Sequence, residues 1–241
     1  MGRTCASSMH SHPGRVAKKN DDAALADDAR RLYVVSDGVG SCRDASLASR
    51  IAVETSSQAL LSTPSPDIRK TLAWAAREAN RRIQEAGRST NPPQVLAATL
   101  TLLLIRDEDF HVLHVGDTRA YLLREGRLLL VTRDHSVAFD QYWKGAITID
   151  DVRSHPNQNV LTRTLGTAEY LVPDFTDGPV RDRDRFLLCS DGVTKELDQE
   201  RIATILAQES SPAGACRRFI DEANAAGGRD NVTAVVADVV G

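Results

Sequence analysis

Apolar residues fall in runs along this chain, and the spacing within the runs changes from one region to the next. Short segments rich in β-branched and leucine side chains stand at 32–35 (LYVV), 96–105 (LAATLTLLLI), 109–117 (DFHVLHVGD), 119–132 (RAYLLREGRLLLVT), 185–189 (RFLLC) and 233–239 (TAVVADV). Each predicts strand structure. In the middle of the chain Asp107-Glu108, Gly116-Asp117 and Glu125-Gly126 divide the apolar runs as turns, so this region reads as a β-meander. Elsewhere the period lengthens. Leu47, Ile51, Thr55 and Ala59 recur at helical spacing within 44–62, and Ile68, Leu72, Ala75, Ala79 and Ile83 do so within 67–86, with the breaker TPSP at 63–66 between them. Trp74 lies on the second of these amphipathic helices and is expected in its packed face. Residues 133–181 are irregular and polar; within them Thr132 or Asp134 is the expected N-cap of a helix opening near TRDHS. Helical spacing returns near 198–208 and 212–226.

Strands and helices therefore come in clusters instead of strict alternation. That disfavours a doubly wound parallel sheet and predicts an α+β fold of antiparallel sheets with helices packed outside. The length, 241 residues, suits one domain, and 41% hydrophobic with 26% charged residues excludes general disorder. Residues 1–13 read as a flexible leader and 14–241 as a single catalytic-size domain. A net charge of −3 provides no basic field for nucleic acid, and no apolar run approaches the roughly 20 residues that span a bilayer. Cys5, Cys42, Cys189 and Cys216 lie far apart without Cys-x-x-Cys spacing, which argues against a zinc site or a disulfide framework. With no apolar leader segment in MGRTCASSMHSH, a cytoplasmic setting is expected.

Chemistry concentrates where strands end. YVVSDGVG at 33–40 and LLCSDGV at 187–193 carry nearly the same acidic turn. One Asp-Gly pair is ordinary turn punctuation; two, each closing an apolar strand, raise the prospect of two carboxylates meeting around a cation. Further acidic turns stand at Asn20-Asp21-Asp22, Gly116-Asp117-Thr118 and Gly228-Arg229-Asp230-Asn231. Carboxylates without His or Cys partners suit a hard cation such as Mg²⁺ or Mn²⁺. Adjacent glycines also let a backbone carbonyl approach as a ligand.

Taken in order, GRVAKKNDD, LYVVSDGVG, ATLTLLLI, LHVGDTRAYLLREGRLLLVTRDHS, VLTRTLG, DRFLLCSDGV and GGRDNVTAVVADV resemble the bacterial branch of the metal-dependent protein phosphatase 2C family. The resemblance spans residues 14–239. It implies a four-layer α-β-β-α sandwich of two antiparallel sheets flanked by helices. It also implies hydrolysis of phosphoserine and phosphothreonine in proteins by a water activated between two metal ions, with Asp37 bridging and Gly38 lending its carbonyl. Asp191 and Asp230 would complete the first site, and Asp21 and Asp22 the second, directly or through water. Asp117 and Asp191 would hold a third ion. Asp37 and Asp191 are thus the residues on which catalysis is expected to rest. The implied partners are phosphorylated proteins and a cognate Ser/Thr kinase, and the expected state is a monomer. The chain departs from the family pattern at Val39, where a histidine or methionine is usual, at Ser41, a usual glycine, at Asp21, a usual Glu or Gln, and at Ala17, the usual phosphate-binding arginine. Alternation along an extended GRVAKKN segment would make Arg15 the substitute clamp, with Lys18 the second candidate. The competing reading is a phosphatase-like module that binds phosphoproteins without turnover.

Overall fold

The computed structural model describes residues 3–40, 42–62 and 67–241. The TPSP breaker and Ser41 lie outside the described residues. The chain opens with β1 (Thr4–His12), β2 (Asp22–Asp27) and β3 (Leu32–Asp37), then forms α1 (Ala45–Ser62) and α2 (Ile68–Ser89). Strands β4 (Leu100–Arg106), β5 (Asp109–Val115), β6 (Arg119–Arg124) and β7 (Arg127–Leu130) follow. Short helices α3 (Val137–Trp143) and α4 (Ile149–Ser154) precede β8 (Asp174–Pro179) and β9 (Arg185–Cys189). Helices α5 (Asp191–Glu196), α6 (Gln199–Gln208) and α7 (Pro212–Ala226) lead to β10 (Val232–Val240).

Two five-stranded antiparallel sheets result, ordered β1-β10-β9-β6-β7 and β2-β3-β4-β5-β8. Pleating sends alternate side chains to opposite faces, and the strands use both. Leu32, Val34 and Leu102 pack toward α1 and α2, while Tyr33, Val35 and Leu103 point between the sheets. On the other sheet Leu187, Ala234 and Val236 pack under α5 to α7, while Phe186, Leu188 and Val235 fill the same inter-sheet layer. Phe110 and Phe186 meet there edge to face, with ring centroids 5.3 Å apart. Three apolar layers therefore separate four structural ones, the expected α-β-β-α sandwich.

Four expectations need correction. Residues 4–12 are no leader: β1 pairs with β10 over its full length, from Thr4 opposite Val240 to His12 opposite Val232. Its sequence, TCASSMHSH, is polar because β1 is an edge strand that is largely exposed, so the apolar pattern that marks a central strand is missing. The meander is split, because β4 and β5 belong to one sheet and β6 and β7 to the other; Gly116-Asp117 is the crossing between them. Trp74 is 42% exposed on α2, whose packed face is Leu72, Ala75, Ala76, Ala79 and Ile83. The N-cap of α3 is Ser136, whose hydroxyl accepts from the Phe139 N–H, because Asp134 is already committed to Arg119 at 2.7 and 2.8 Å.

The β1 assignment makes a checkable statement about the N-terminus. Removing residues 1–12 should strip the outer ladder from β10 and the carbonyl of Ser8 from the Cys216 thiol. The cost should be several kcal/mol, at about 1 kcal/mol net per lost hydrogen bond, read as a lower urea midpoint or as insolubility. A true leader would leave the midpoint unchanged.

Candidate metal centre

The centre begins with a cross-strand pair of like charges. In the β2–β3 register Asp22 stands directly opposite Asp37, a placement that costs stability by itself, since facing carboxylates repel. Both residues are held there firmly. The Asp37 N–H donates to the Thr99 hydroxyl at 2.8 Å, and its carbonyl accepts from the Thr99 N–H at 2.8 Å. The next residue must be glycine: a Cβ on Gly38 would lie 2.2 Å from the carbonyl oxygen of Ala45. The Gly38 N–H in turn donates to the Asp21 carbonyl at 3.1 Å, tying the Asn-Asp-Asp turn to the Asp-Gly turn.

Asp22 is also fastened from the opposite sheet. Its Oδ2 accepts from the Ser190 hydroxyl at 2.7 Å and the Thr233 hydroxyl at 2.6 Å. Ser190 and Thr233 belong to the β9–α5 and β10 side, so this carboxylate is the joint between the sheets. Asn231 makes a second joint. Its side-chain oxygen accepts from the Asp21 N–H at 2.7 Å, and its amide donates to the carbonyls of Pro13 and Lys19, both at 2.9 Å. One buried amide thus shapes the whole 13–21 loop. Gly192 lets α5 approach it, as a Cβ there would fall 1.9 Å from the Asn231 carbonyl oxygen.

Asp191 opens α5, and Asp230 immediately precedes Asn231. Lys195, one helical turn beyond Asp191, places Nζ 2.5 Å from Asp191 Oδ2 and 2.8 Å from Asp230 Oδ2. The other oxygen of Asp230 accepts from the Asn231 N–H at 2.9 Å. Asp117 sits at the crossing between sheets, where Gly116 has φ +108° and its N–H donates to His135 Nδ1 at 3.1 Å. Asp117, Asp191, Asp230 and Lys195 line a cavity of ≈ 390 Å³, with Gln158 and Asn159 from the segment after α4 also on its wall. Asp22 and Asp37 are not part of this lining, but both lie within reach of the Asp191 charge. Asp21 is half-buried at the loop end.

The basic candidates are placed differently from expectation. Residues 14–16 form a turn and 18–19 a bend, so the alternation that aligned Arg15 with Ala17 does not apply. The Arg15 N–H donates to the Gly228 carbonyl at 2.7 Å, which sets Arg15 beside the loop carrying Asp230. Its side chain and that of Lys18 are exposed, and neither lines the cavity. The cations that do line it are already paired: Arg119 with Asp134, Arg229 with Glu196, and Lys195 as above. Sequence reasoning missed both Lys195 and Asn231. Position i+4 from Asp191 was the available signal for the first, and adjacency to Asp230 for the second.

Electrostatics tests whether divalent cations fit here. Burial, reinforced by Asp22, Asp191, Asp117 and Asp230, holds the Asp37 carboxyl well above the carboxylate range. Burial and the Asp191 charge do the same to Asp117, against the opposing pull of Lys195 and Arg119. Burial pushes Asp22 up to about 7, although the Ser190 and Thr233 hydroxyls oppose it. Crowded carboxylates of this kind lack counter-charge. Two of their oxygens, Asp22 Oδ1 and Asp191 Oδ1, are buried with no hydrogen-bond partner, an arrangement that is costly unless something binds there. Among the described residues no three His, Cys, Asp or Glu side chains are drawn into a closed ligand set, and Lys195 takes Oδ2 of both Asp191 and Asp230. The all-oxygen donor set, the orphaned oxygens and the mutual repulsion fit Mg²⁺ or Mn²⁺.

The chain and its fold have known relatives. The family model described as protein phosphatase 2C matches residues 10–225. The serine/threonine protein phosphatase PstP of Mycobacterium tuberculosis is 33% identical over 227 residues, 94% of this chain, but the chain spans only 43% of that relative's length. The serine/threonine phosphatase stp of Listeria welshimeri is 30% identical, covering 93% of this chain and 92% of its own. A solved catalytic domain of the serine threonine protein phosphatase PstP, in complex with two manganese ions, superposes with a TM-score of 0.89 at 30% identity, covering 99% of this chain and 100% of that one. A β-sandwich whose two sheets bring Asp-Gly turns together, matched by that model along most of its length, places this chain in the protein phosphatase 2C family.

Proposed function

We propose that this chain is a metal-dependent protein phosphatase acting on phosphoserine and phosphothreonine, with Asp37 and Asp191 as its central carboxylates. The observation that carries the reading is the Asp22–Asp37 cross-strand pair, joined by Asp191 with one orphaned oxygen. The two manganese ions of the PstP catalytic domain support two ions here. Asp37, the Gly38 carbonyl, Asp191 and Asp230 would hold one, and Asp37 with Asp21 and Asp22 the other. Bound there, divalent cations would acidify a water and offset charge on the phosphoryl oxygens. The protein's own share is positional. Thr99, Ser190, Thr233 and Asn231 fix the carboxylates before any ligand arrives, so little reorganisation is needed at reaction. Val39 offers no proton to the leaving alkoxide. Phosphorylated proteins are the proposed substrates, in the cytoplasm, by a monomer that opposes a Ser/Thr kinase.

Asp37→Asn should remove nearly all phosphopeptide turnover while the fold persists, because a neutral amide cannot serve two cations. Calorimetric Mn²⁺ titration beside a phosphopeptide assay reads both effects. Retention of more than about a tenth of the rate, a loss under about 1.4 kcal/mol, would sink the dinuclear reading.

The raised carboxyls also predict a pH dependence. In chelator, folded Asp22 keeps its proton up to about pH 7, whereas unfolded Asp releases it near about pH 3.9. Protons are thus bound more tightly in the folded state, so the contribution is full below about pH 4 and is lost as pH rises through 7. The chelated protein should be less stable at about pH 8 than at about pH 5, by at most roughly 3 kcal/mol from this group, read as a lower melting midpoint. Added Mn²⁺ should raise the midpoint more at the higher pH. Equal chelated midpoints would show that the carboxylates do not crowd as described.

Arg15 is the proposed clamp for the substrate phosphate, since it lies beside the Asp230 loop with an exposed side chain that makes no ion pair among the described residues. Arg15→Ala should raise KM for a phosphopeptide several-fold at unchanged Mn²⁺ affinity. A loss on Lys18→Ala instead would transfer the role to Lys18.

A further inference from the structure

We propose that the Lys195 ammonium, held by Oδ2 of Asp191 and of Asp230 in the cavity that Asp117 also lines, is the third cation of this centre and takes the place of a third divalent ion. The inference rests on the two-ion reading above and concerns a residue that reading leaves without a role. Lys195 follows Asp191 by four positions on α5, so one turn of helix brings its Nζ back to the same carboxylate. It meets Asp191 Oδ2 at 2.5 Å and Asp230 Oδ2 at 2.8 Å, and it lines the cavity beside Asp117. Its side chain is only 29% exposed, so the charge is held in place.

The two oxygens of Asp191 are divided in consequence. Oδ2 faces the ammonium, and Oδ1 is buried and unpartnered. The free oxygen is the one left for the paired ions, while the oxygen on the cavity side is taken. A further divalent cation held by Asp117 and Asp191 would have to share Asp191 with that fixed positive charge, and like charges on one carboxylate repel. An ammonium cannot be washed out by chelator or diluted away, so this part of the charge is permanent.

The test is a count of ions, independent of turnover. Equilibrium dialysis of the full chain against Mn²⁺, with the metal measured by atomic absorption, should give two ions per wild-type chain and two for Asp117→Asn. Lys195→Met, which keeps the aliphatic stem and removes the charge, should bind three, with the third lost again in Lys195→Met/Asp117→Asn. Lys195→Arg should stay at two, and thermal melts would establish that each variant is folded. Lys195→Ala provides the same comparison should the methionine disturb packing. Three ions in the wild type, one of them lost in Asp117→Asn, would overturn the assignment. So would two ions in the wild type and in both uncharged variants, leaving the two-ion reading intact. Fewer than two in the wild type would overturn that reading together with this one.

Discussion

Everything at this end of the molecule follows from one unfavourable contact, the pairing of Asp22 with Asp37 across β2 and β3. A sheet assembled for stability alone would not set two carboxylates opposite each other and then bury them. The surrounding structure is organised to hold the pair regardless. Thr99 grips the Asp37 backbone from β4's side, and Ser190 and Thr233 reach across from the other sheet to Asp22. That cross-sheet grip keeps the Asp22 carboxylate from turning away from Asp37. The inter-sheet layer of Tyr33, Val35, Phe110, Phe186, Leu188 and Val235 supplies the apolar burial that keeps the two sheets, and so the grip, together.

Much of this was legible in the sequence, and the limits are physical. Strands buried on both faces, such as β3, β4, β9 and β10, have continuous apolar runs and could be read directly. Both Asp-Gly turns could be read as well, because a strand that ends in Asp-Gly puts its carboxylate at the sheet edge. The edge strand β1 could not, since one side of its ladder and most of its side chains face solvent. Strand β2, DAALAD, is half-buried throughout and has no β-branched residue to mark it. Its position depends on Asn231, more than 200 residues away in sequence, and no local pattern reports such a partner.

The split meander shows the same limit at larger scale. The four central strands look like consecutive hairpins, and three of the turns are locally alike. Only the packing decides that Gly116-Asp117 leads from one sheet to the other. That crossing is also what puts Asp117 in the cavity, whereas a hairpin would have left it on a solvent-facing tip. The turn is held by His135, which accepts from the Gly116 N–H and donates its own backbone N–H to the Gly116 carbonyl at 2.7 Å. His135 rests against His114, with ring centroids 4.8 Å apart, and burial lowers the pKa of both imidazoles. Two neutral rings can pack this closely, here tilted by 41°, where two charged ones would repel, so the turn sits on an uncharged support.

The cavity's charge sets an order of events. Asp117, Asp134, Asp191 and Asp230 line it against Arg119, Lys195 and Arg229. Each of those cations already has a carboxylate partner: Arg119 the buried Asp134, Arg229 the buried Glu196, and Lys195 two of the acidic residues themselves. Neither arginine can turn toward an incoming dianion without leaving a buried acid unpaired, at a cost on the order of 3–5 kcal/mol by the general behaviour of such pairs, and Lys195 would have to give up two carboxylates at once. A phosphoester approaching the bare protein meets carboxyl groups with no free cation among the residues that line the cavity. On the two-ion reading proposed above, divalent ions bound to the inner carboxylates would offset its charge, so metal binding would precede productive substrate binding in this pocket.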